Sequence, residues 1–278
     1  MRVMLQTFSS QGASIPALGF GTSPLTGGLS PDSVLAALAA GYRHIDAARK
    51  YGTEHVVGEA VRASGIPRSE IFITTKVSHE NLRPADFARS IEQSLKALQT
   101  NYVDLLLVHW PNPEIAPEQY MPALAKAKRD GLARNIGVAN FNIALLDRAV
   151  ALCSEPLVAL QAEYHPYLNQ SKLLAAVRRH KLIFIAYCPL GRGRLFSDSV
   201  LAEIAEAHGR TVAQVALRWL LQQQVAVIPR SSNEQRIAEN AHIFDFTLSE
   251  DEMARIAALA RPDGRIANPV GRVPGGWD

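Results

Sequence analysis

Three short aliphatic runs in this chain end in side chains capable of acid–base work: His44-Ile45-Asp46, Thr74-Thr75-Lys76 and Leu107-Val108-His109. Tyr51 follows Asp46 by five residues. A phenol with its ordinary pKa near 10 is a weak acid at neutrality, but a neighbouring ammonium favours the phenolate and lowers that value. Lys76 would supply the ammonium, Asp46 would hold Lys76 and compensate for its burial, and His109 would donate a hydrogen bond to a carbonyl oxygen. Together they would polarise a C=O group and protonate the alkoxide formed on it. What they lack is hydride, which no side chain supplies and a nicotinamide does.

Taken singly, each residue has an ordinary reading: a buried lysine–aspartate pair is usually structural, and a histidine after an aliphatic run is usually a hydrogen-bonded core residue. Their occurrence at three successive strand ends favours a shared site. His44 and Asp46 share a strand face as metal ligands would, but no third ligand stands at a recognisable spacing, so no metal is expected. His55, His79, His165, His180, His208 and His242 are assigned no role. Two other readings stay open. A desolvated strand-end lysine can be a Schiff-base nucleophile, which would make Lys76 the centre of an aldolase or lyase, although Asp46 should keep the amine charged. A nicotinamide-binding regulatory protein with little catalysis would keep the same fold.

Bringing these side chains to one pocket needs parallel strands. Eight candidates recur: Leu18–Phe20, His44–Asp46, Ile71–Thr75, Val103–Val108, Asn135–Val138, Ala159–Glu163, Ile183–Tyr187 and Val225–Ile228. Helical patterns separate them: Pro31–Ala40, Glu54–Ser64, Pro84–Leu98, Pro117–Asp130, Ile143–Leu152, Ser171–His180, Asp198–His208 with Val212–Gln223, and then Glu234–Asn240. Eight such units in about 250 residues suit an α/β fold of the (β/α)8 TIM-barrel type better than a doubly wound sheet, and place reactive groups at strand C-termini. No linker divides the chain, so one domain over residues 1–278 is expected, with an N-terminal β-hairpin in 1–17 and a C-terminal tail, 260–278, looping over the site.

After the eighth strand, Ile228-Pro229-Arg230-Ser231-Ser232-Asn233 leads into a helix carrying Arg236, Glu239 and Asn240. Two guanidinium groups, hydroxyls and helix amides make an anion cradle where barrels often bind phosphate; a solvated helix start is the plain alternative. Gly19-Phe20-Gly21 and Gly191-Arg192-Gly193 are each half of a dinucleotide fingerprint and no sign of a Rossmann fold.

Composition narrows the classes. Hydrophobic residues at 47% and charged ones at 20% describe a folded globular chain rather than a disordered one. A net charge of +3 without a basic run argues against nucleic acid as a partner. Two cysteines cannot build a disulfide framework, which suits a reducing compartment. No stretch of about 20 apolar residues suggests a membrane span and no secretory leader is evident, so a cytoplasmic protein is expected.

The residues also resemble the aldo-keto reductase family from Gly19 to Asn240. Gly41-Tyr42-Arg43-His44-Ile45-Asp46-Ala47-Ala48 with Tyr51, Glu54 and Gly58 is similar to the family's first signature. Thr74-Thr75-Lys76-Val77, Leu107 to Pro111, Gly137 to Phe141, Gln161 to Pro166, Ala186 to Leu190 and Ile228 to Asn240 resemble further blocks. The resemblance implies a catalytic tetrad of Asp46, Tyr51, Lys76 and His109, with Tyr51 the general acid, and NADPH as cofactor. It implies that Asn140 and Gln161 hold the carboxamide, Tyr187 stacks on the nicotinamide, and Cys188 to Leu190 line the pyrophosphate path. Arg230, Ser231 and Arg236 would bind the 2′-phosphate, with Glu239 and Asn240 near adenine; Thr22, Asp46 and Ser232 complete the implied cofactor contacts. Two arginines at a phosphate favour NADPH over NADH.

Departures from the family pattern are Ala139 and Cys188 where serine is usual, Arg230 where lysine is commoner, Ser78 in place of a frequent aromatic, and a Thr22-Ser23-Pro24 loop without one. Tyr51, His109, Trp110, Ser78 and Trp277 are the implied substrate contacts. The short tail resembles that of bacterial members acting on small polar aldehydes and ketones, such as keto sugars and dicarbonyls, and the family implies a monomer with a small-molecule carbonyl substrate.

Overall fold

A computed structural model of the chain describes residues 6–23, 29–273 and 275–278. Pro24 of the first loop, and residues 1–5 of the expected hairpin segment, lie outside the described residues. Strands β1 (Thr7–Ser10) and β2 (Ala13–Pro16) pair antiparallel through Gln11-Gly12, with Thr7 opposite Pro16. This is the hairpin expected from the sequence.

The main sheet has eight parallel strands: β3 (Phe20–Gly21), β4 (His44–Asp46), β5 (Phe72–Val77), β6 (Val103–Val108), β7 (Ala133–Ala139), β8 (Leu157–Glu163), β9 (Ile183–Tyr187) and β10 (Val225–Val227). They pair in chain order. The sheet curls until its edges meet: Val227 N donates to Ala17 O at 2.8 Å and Gly19 N donates to Val227 O at 2.8 Å. That contact explains why β3 is shorter than the run Leu18–Phe20 suggests. Leu18 and Gly19 are spent bridging to β10.

Helices cover the outside: α1 (Pro31–Ala39), α2 (Glu54–Ala63), α3 (Pro84–Leu98), α4 (Pro117–Arg129), α5 (Ile143–Leu152), α6 (Ser171–Arg179), α7 (Ser199–Ala207), α8 (Val212–Gln222), α9 (Glu234–Ala241) and α10 (Glu250–Ala257). Side chains alternate across the strands, so in β6 Leu106 and Val108 join the layer facing the helices while Leu105 and Leu107 face the interior with Ile15 of the hairpin, Ile185 and Ala226. Proline at the first turn and the Ser30 hydroxyl, which accepts from Asp32 N, start α1 where expected. Helix α10 was not expected. Its start carries a reciprocal capping box between Ser249 and Glu252, but only Ile256 is buried, so apolar periodicity gives it little signature. No helix among the described residues is long and apolar enough to cross a membrane.

One glycine fixes how closely two helices approach. A Cβ on Gly58 in α2 would stand 2.7 Å from Leu98 C and 2.8 Å from Ala97 O at the end of α3. Alanine is favoured over glycine in a helix by about 1 kcal/mol, yet backbone overpacking costs about 1–3 kcal/mol, and the obstructing atoms here are backbone. Gly58→Ala should therefore lower the denaturant midpoint with little change in the slope; an unchanged or higher midpoint would show that α2 and α3 separate freely.

Candidate active site

The C-terminal ends of β4, β5 and β6 lie side by side. Lys76 Nζ donates to Asp46 Oδ1 at 2.5 Å and to Ala47 O at 2.8 Å, and both side chains are buried. The other carboxylate oxygen, Oδ2, accepts from Gln161 Nε2 at 2.8 Å, so β8 reaches across to hold the pair. Tyr51 ends a single helical turn, Arg49–Tyr51, directly after β4. Its ring meets that of His109 edge-on, with centroids 5.4 Å apart, and Lys76 Nζ lies 5.0 Å from the Tyr51 ring centre. The four side chains expected to converge do so.

Their electrostatics correct one expectation. The Tyr51 phenol is not made acidic by Lys76: burial, and then the Asp46 carboxylate, hold it well above its ordinary value, with a hydrogen bond to Ser23 acting the other way. The physical reason is that Asp46 largely offsets the ammonium while desolvation penalises the phenolate. Burial holds His109 well below its ordinary value, with Lys76 adding to the effect, so the ring is neutral at pH 7 and carries one N–H donor. Burial likewise lowers Lys76, against the pull of Asp46.

These groups open onto a cleft of ≈ 1030 Å³. Tyr51, His109, Trp110, Asn140, Gln161, Tyr187, Cys188, Leu190, Arg230, Ser231, Arg236, Glu239 and Asn240 all line it. Asn140 is already engaged: its Nδ2 donates to His109 O at 2.8 Å and its Oδ1 accepts from Tyr187 at 2.7 Å. Asn140 and Cys188 both occupy the left-handed region, at φ 62° and 49°. Such strained residues cluster where loops are shaped for a ligand.

Several expected contacts fall elsewhere. Thr22 is fully buried and donates to Asp46 O at 2.9 Å, bracing the backbone beneath the site instead of lining it. The Ser78 hydroxyl is turned to Glu80 and is absent from the cleft wall. Ser232 is outside the lining as well. Trp277 stands behind Trp110, ring centroids 6.1 Å apart. His44, weighed as a metal ligand, pairs instead with Thr74 Oγ1 at 2.9 Å, and among the described residues no group of three or more His, Cys, Asp or Glu could hold a metal.

Several lining residues were missed, Phe196, Thr211, Val212, Ala213 and Ala267 among them, and three further residues bear on what the site can do. Arg192 and Gly193 line the cleft, so the Gly191-Arg192-Gly193 run discounted as half a fingerprint does face the site. The third is Glu163, the last residue of β8. Its fully buried carboxylate accepts from His165 Nε2 at 2.9 Å, Ile266 N at 2.7 Å and Ala267 N at 2.6 Å, clasping the tail over the cleft that Ala267 lines. Close passage is possible because residue 264 is glycine: a Cβ there would stand 1.8 Å from Tyr167 O.

These hydrogen bonds hold the Glu163 carboxyl below its ordinary value despite burial. Its stabilisation is therefore complete above the ordinary range near 4.3 and is lost as pH falls through the depressed folded value. Glu163→Gln would turn an amide toward donors and should raise the rate of proteolytic cleavage within residues 260–278 roughly tenfold at pH 7, on the order of the loss of one charge-assisted bond. Peptide mapping after limited digestion measures this, and a wild-type cleavage pattern would show that the tail is held by something else.

Comparison with known proteins agrees with the geometry. A sequence model of the Aldo/keto reductase family matches residues 17–261. Methylglyoxal reductase DkgB of Escherichia coli O157:H7 is 40% identical over 268 residues, 95% of this chain and 100% of that protein. A solved structure assigned provisionally as a 2,5-diketo-D-gluconic acid reductase B superposes with a TM-score of 0.94 at 45% identity, covering 99% of this chain and 98% of that one. A Bombyx mori aldo-keto reductase in complex with NADP superposes with a TM-score of 0.90 at 31% identity, covering 96% of each chain. With that family model spanning most of its length and these relatives matched nearly end to end, the chain belongs to the aldo-keto reductase family.

Proposed function

We propose that this protein is an NADPH-dependent reductase of small polar aldehydes and ketones, with Tyr51 as proton donor. One observation carries the reading: the Tyr51 and His109 rings meet edge-on beside a buried Lys76–Asp46 pair, in a cleft whose lining also carries Arg192, Arg230 and Arg236. Relatives named for methylglyoxal and 2,5-diketo-D-gluconic acid support dicarbonyls and keto sugars as the substrate class. The joined sheet edges support a closed (β/α)8 barrel, and continuous alternation of elements supports one domain over residues 1–278. A cytoplasmic monomer remains part of the proposal on composition and family resemblance.

The residues present fit a dinucleotide phosphate. Arg192 and Arg236 face the cleft without a carboxylate ion-pair partner among the described residues, which leaves both cations able to receive phosphate. Arg230, Ser231 and Arg236 would hold the 2′-phosphate, and Gln161, Asn140 and Tyr187 the nicotinamide. When bound, that cofactor supplies hydride to the carbonyl carbon.

Everything else is done by side chains. His109 donates its N–H to the carbonyl oxygen and orients it. Tyr51, kept protonated by its surroundings, gives its proton to the oxygen as alkoxide character develops; an alkoxide is far more basic than a phenolate, so a raised phenol pKa still permits the transfer. Lys76 stabilises the phenolate left behind, and Asp46, held by Gln161, keeps Lys76 in place. The Schiff-base reading loses support because Lys76 Nζ is occupied by Asp46 and Ala47 O and is fully buried.

Tyr51→Phe should reduce turnover of methylglyoxal by about 10²- to 10⁴-fold, the usual contribution of a positioned acid, while NADPH affinity changes little. Steady-state rates with a cofactor fluorescence titration read both; retained turnover would refute the assignment of the acid. Arg236→Ala should raise KM for NADPH by about 10- to 100-fold, as expected for a lost charge-assisted contact, and leave KM for NADH unchanged. Equal changes with both cofactors would remove the 2′-phosphate from Arg236.

A further inference from the structure

Glu54 is a buried carboxylate that the acid–base scheme above does not use. It is the first residue of α2, with its side chain 2% exposed. Its Oε1 accepts from the Thr75 hydroxyl at 2.6 Å, while Oε2 has no hydrogen-bond donor among the described residues and faces Arg49 Nη1 at 3.5 Å. Those two partners sit on the elements that carry the reacting groups. Thr75 immediately precedes Lys76 on β5 and, by the alternation of a strand, points to the opposite face; Arg49 opens the three-residue turn that ends in Tyr51. Glu54 thus bridges the strand of the ammonium and the turn of the phenol.

The turn's own bonds are few: Tyr51 N donates to Ala48 O at 3.0 Å and Gly52 N to Arg49 O at 3.3 Å, and a lone helical turn of this tight kind is held weakly. The ion pair of Lys50 with Glu80 is half-exposed and so contributes little. Arg49 is tied through both terminal nitrogens, to Glu54 and, from Nη2, to Gln93 Oε1 of α3 at 3.0 Å. Glu54 also favours the charged form of Lys76 against burial. The plain alternative is an acid that only complements the dipole at the start of α2, where Thr53 makes no cap because its hydroxyl bonds to Thr22. Such an acid needs neither burial nor contact with Thr75 and Arg49. We propose that Glu54 is a positioning residue for the proton transfer, setting the Tyr51 phenol against the Lys76 ammonium by joining the turn of one to the strand of the other. This rests on the reading of Tyr51 as proton donor.

Glu54→Leu keeps the bulk and removes both acceptors. It should lower kcat for methylglyoxal by roughly 10- to 100-fold, as for a reacting group misplaced by about 1 Å, with KM for methylglyoxal and NADPH affinity within about twofold. Glu54→Gln, which can still accept from Thr75, should recover part of that loss. Arg49→Met should also lower kcat, and combined with Glu54→Leu should cost less than the product of the two single losses, whereas Lys50→Met on the same turn should change kcat by less than about twofold. A lowered denaturant midpoint with kcat unchanged, KM rising in step with lost turnover, independent losses in the double variant, or an equal loss in Lys50→Met would each overturn the proposal. If Glu54→Leu does not fold, Glu54→Gln and Arg49→Met decide it, and kcat unchanged in both overturns it. Amide hydrogen exchange gives a readout that needs no turnover. The Tyr51 and Gly52 amides should exchange roughly tenfold faster in Glu54→Leu while those of β5 stay as protected as in the wild type; unaltered exchange at Tyr51 and Gly52 overturns the proposal. Faster exchange in a protein that reduces no carbonyl would refute carbonyl reduction while leaving the tie between turn and strand standing.

Discussion

The buried pair between Lys76 and Asp46 is the constraint around which the rest of this end of the sheet is arranged. Two charges removed from water are tolerable only when each is paired and hydrogen-bonded, and losing one partner of such a pair typically costs about 3–5 kcal/mol. Here the need is met from four directions: neighbouring strands align the two residues, Ala47 O takes a second ammonium proton, Gln161 takes the second carboxylate oxygen, and Thr22 ties the Asp46 backbone. Tyr51 and His109 sit over this neutralised base. The pair therefore contributes local polarity without large net charge, which is why desolvation, more than the ammonium, governs the phenol.

The same arrangement links reaction site and ligand cleft. Gln161 touches Asp46 and lines the cleft; Asn140 bonds to His109 O and to Tyr187. Hence the residues suited to hold a nicotinamide are the ones that hold the acid–base set. Strain sits at the strand ends that make this coupling, in Asn140 and Cys188, and continues through Arg192 at φ 52°.

Much of this was legible in the chain because strand ends are local features. His44–Asp46, Val103–Val108 and Ile183–Tyr187 run from first to last residue as read from their aliphatic character, and the chemistry-bearing residues directly follow or end such runs. What escaped was non-local. Glu163 ends a strand that was expected, but its partners are main-chain amides more than a hundred residues later, which side-chain pattern cannot show. The direction of the Tyr51 shift depended on depth of burial, and the site's charge count alone pointed the other way. Ser78 was placed by analogy at a substrate wall, but a nearby acceptor, Glu80, captured its hydroxyl.

The tail is fastened at two separated points: by Glu163 near its beginning, and near its end by Asn142 Nδ2 to Gly276 O at 2.8 Å and Ile143 N to Asp278. Between the anchorages Val270 is 98% exposed. A tethered segment of this kind can change length cheaply, since doubling a flexible loop costs only about 0.6 kcal/mol of closure entropy. Insertion or deletion in this segment therefore remodels the roof of the cleft while the Lys76–Asp46 scaffold beneath it stays untouched.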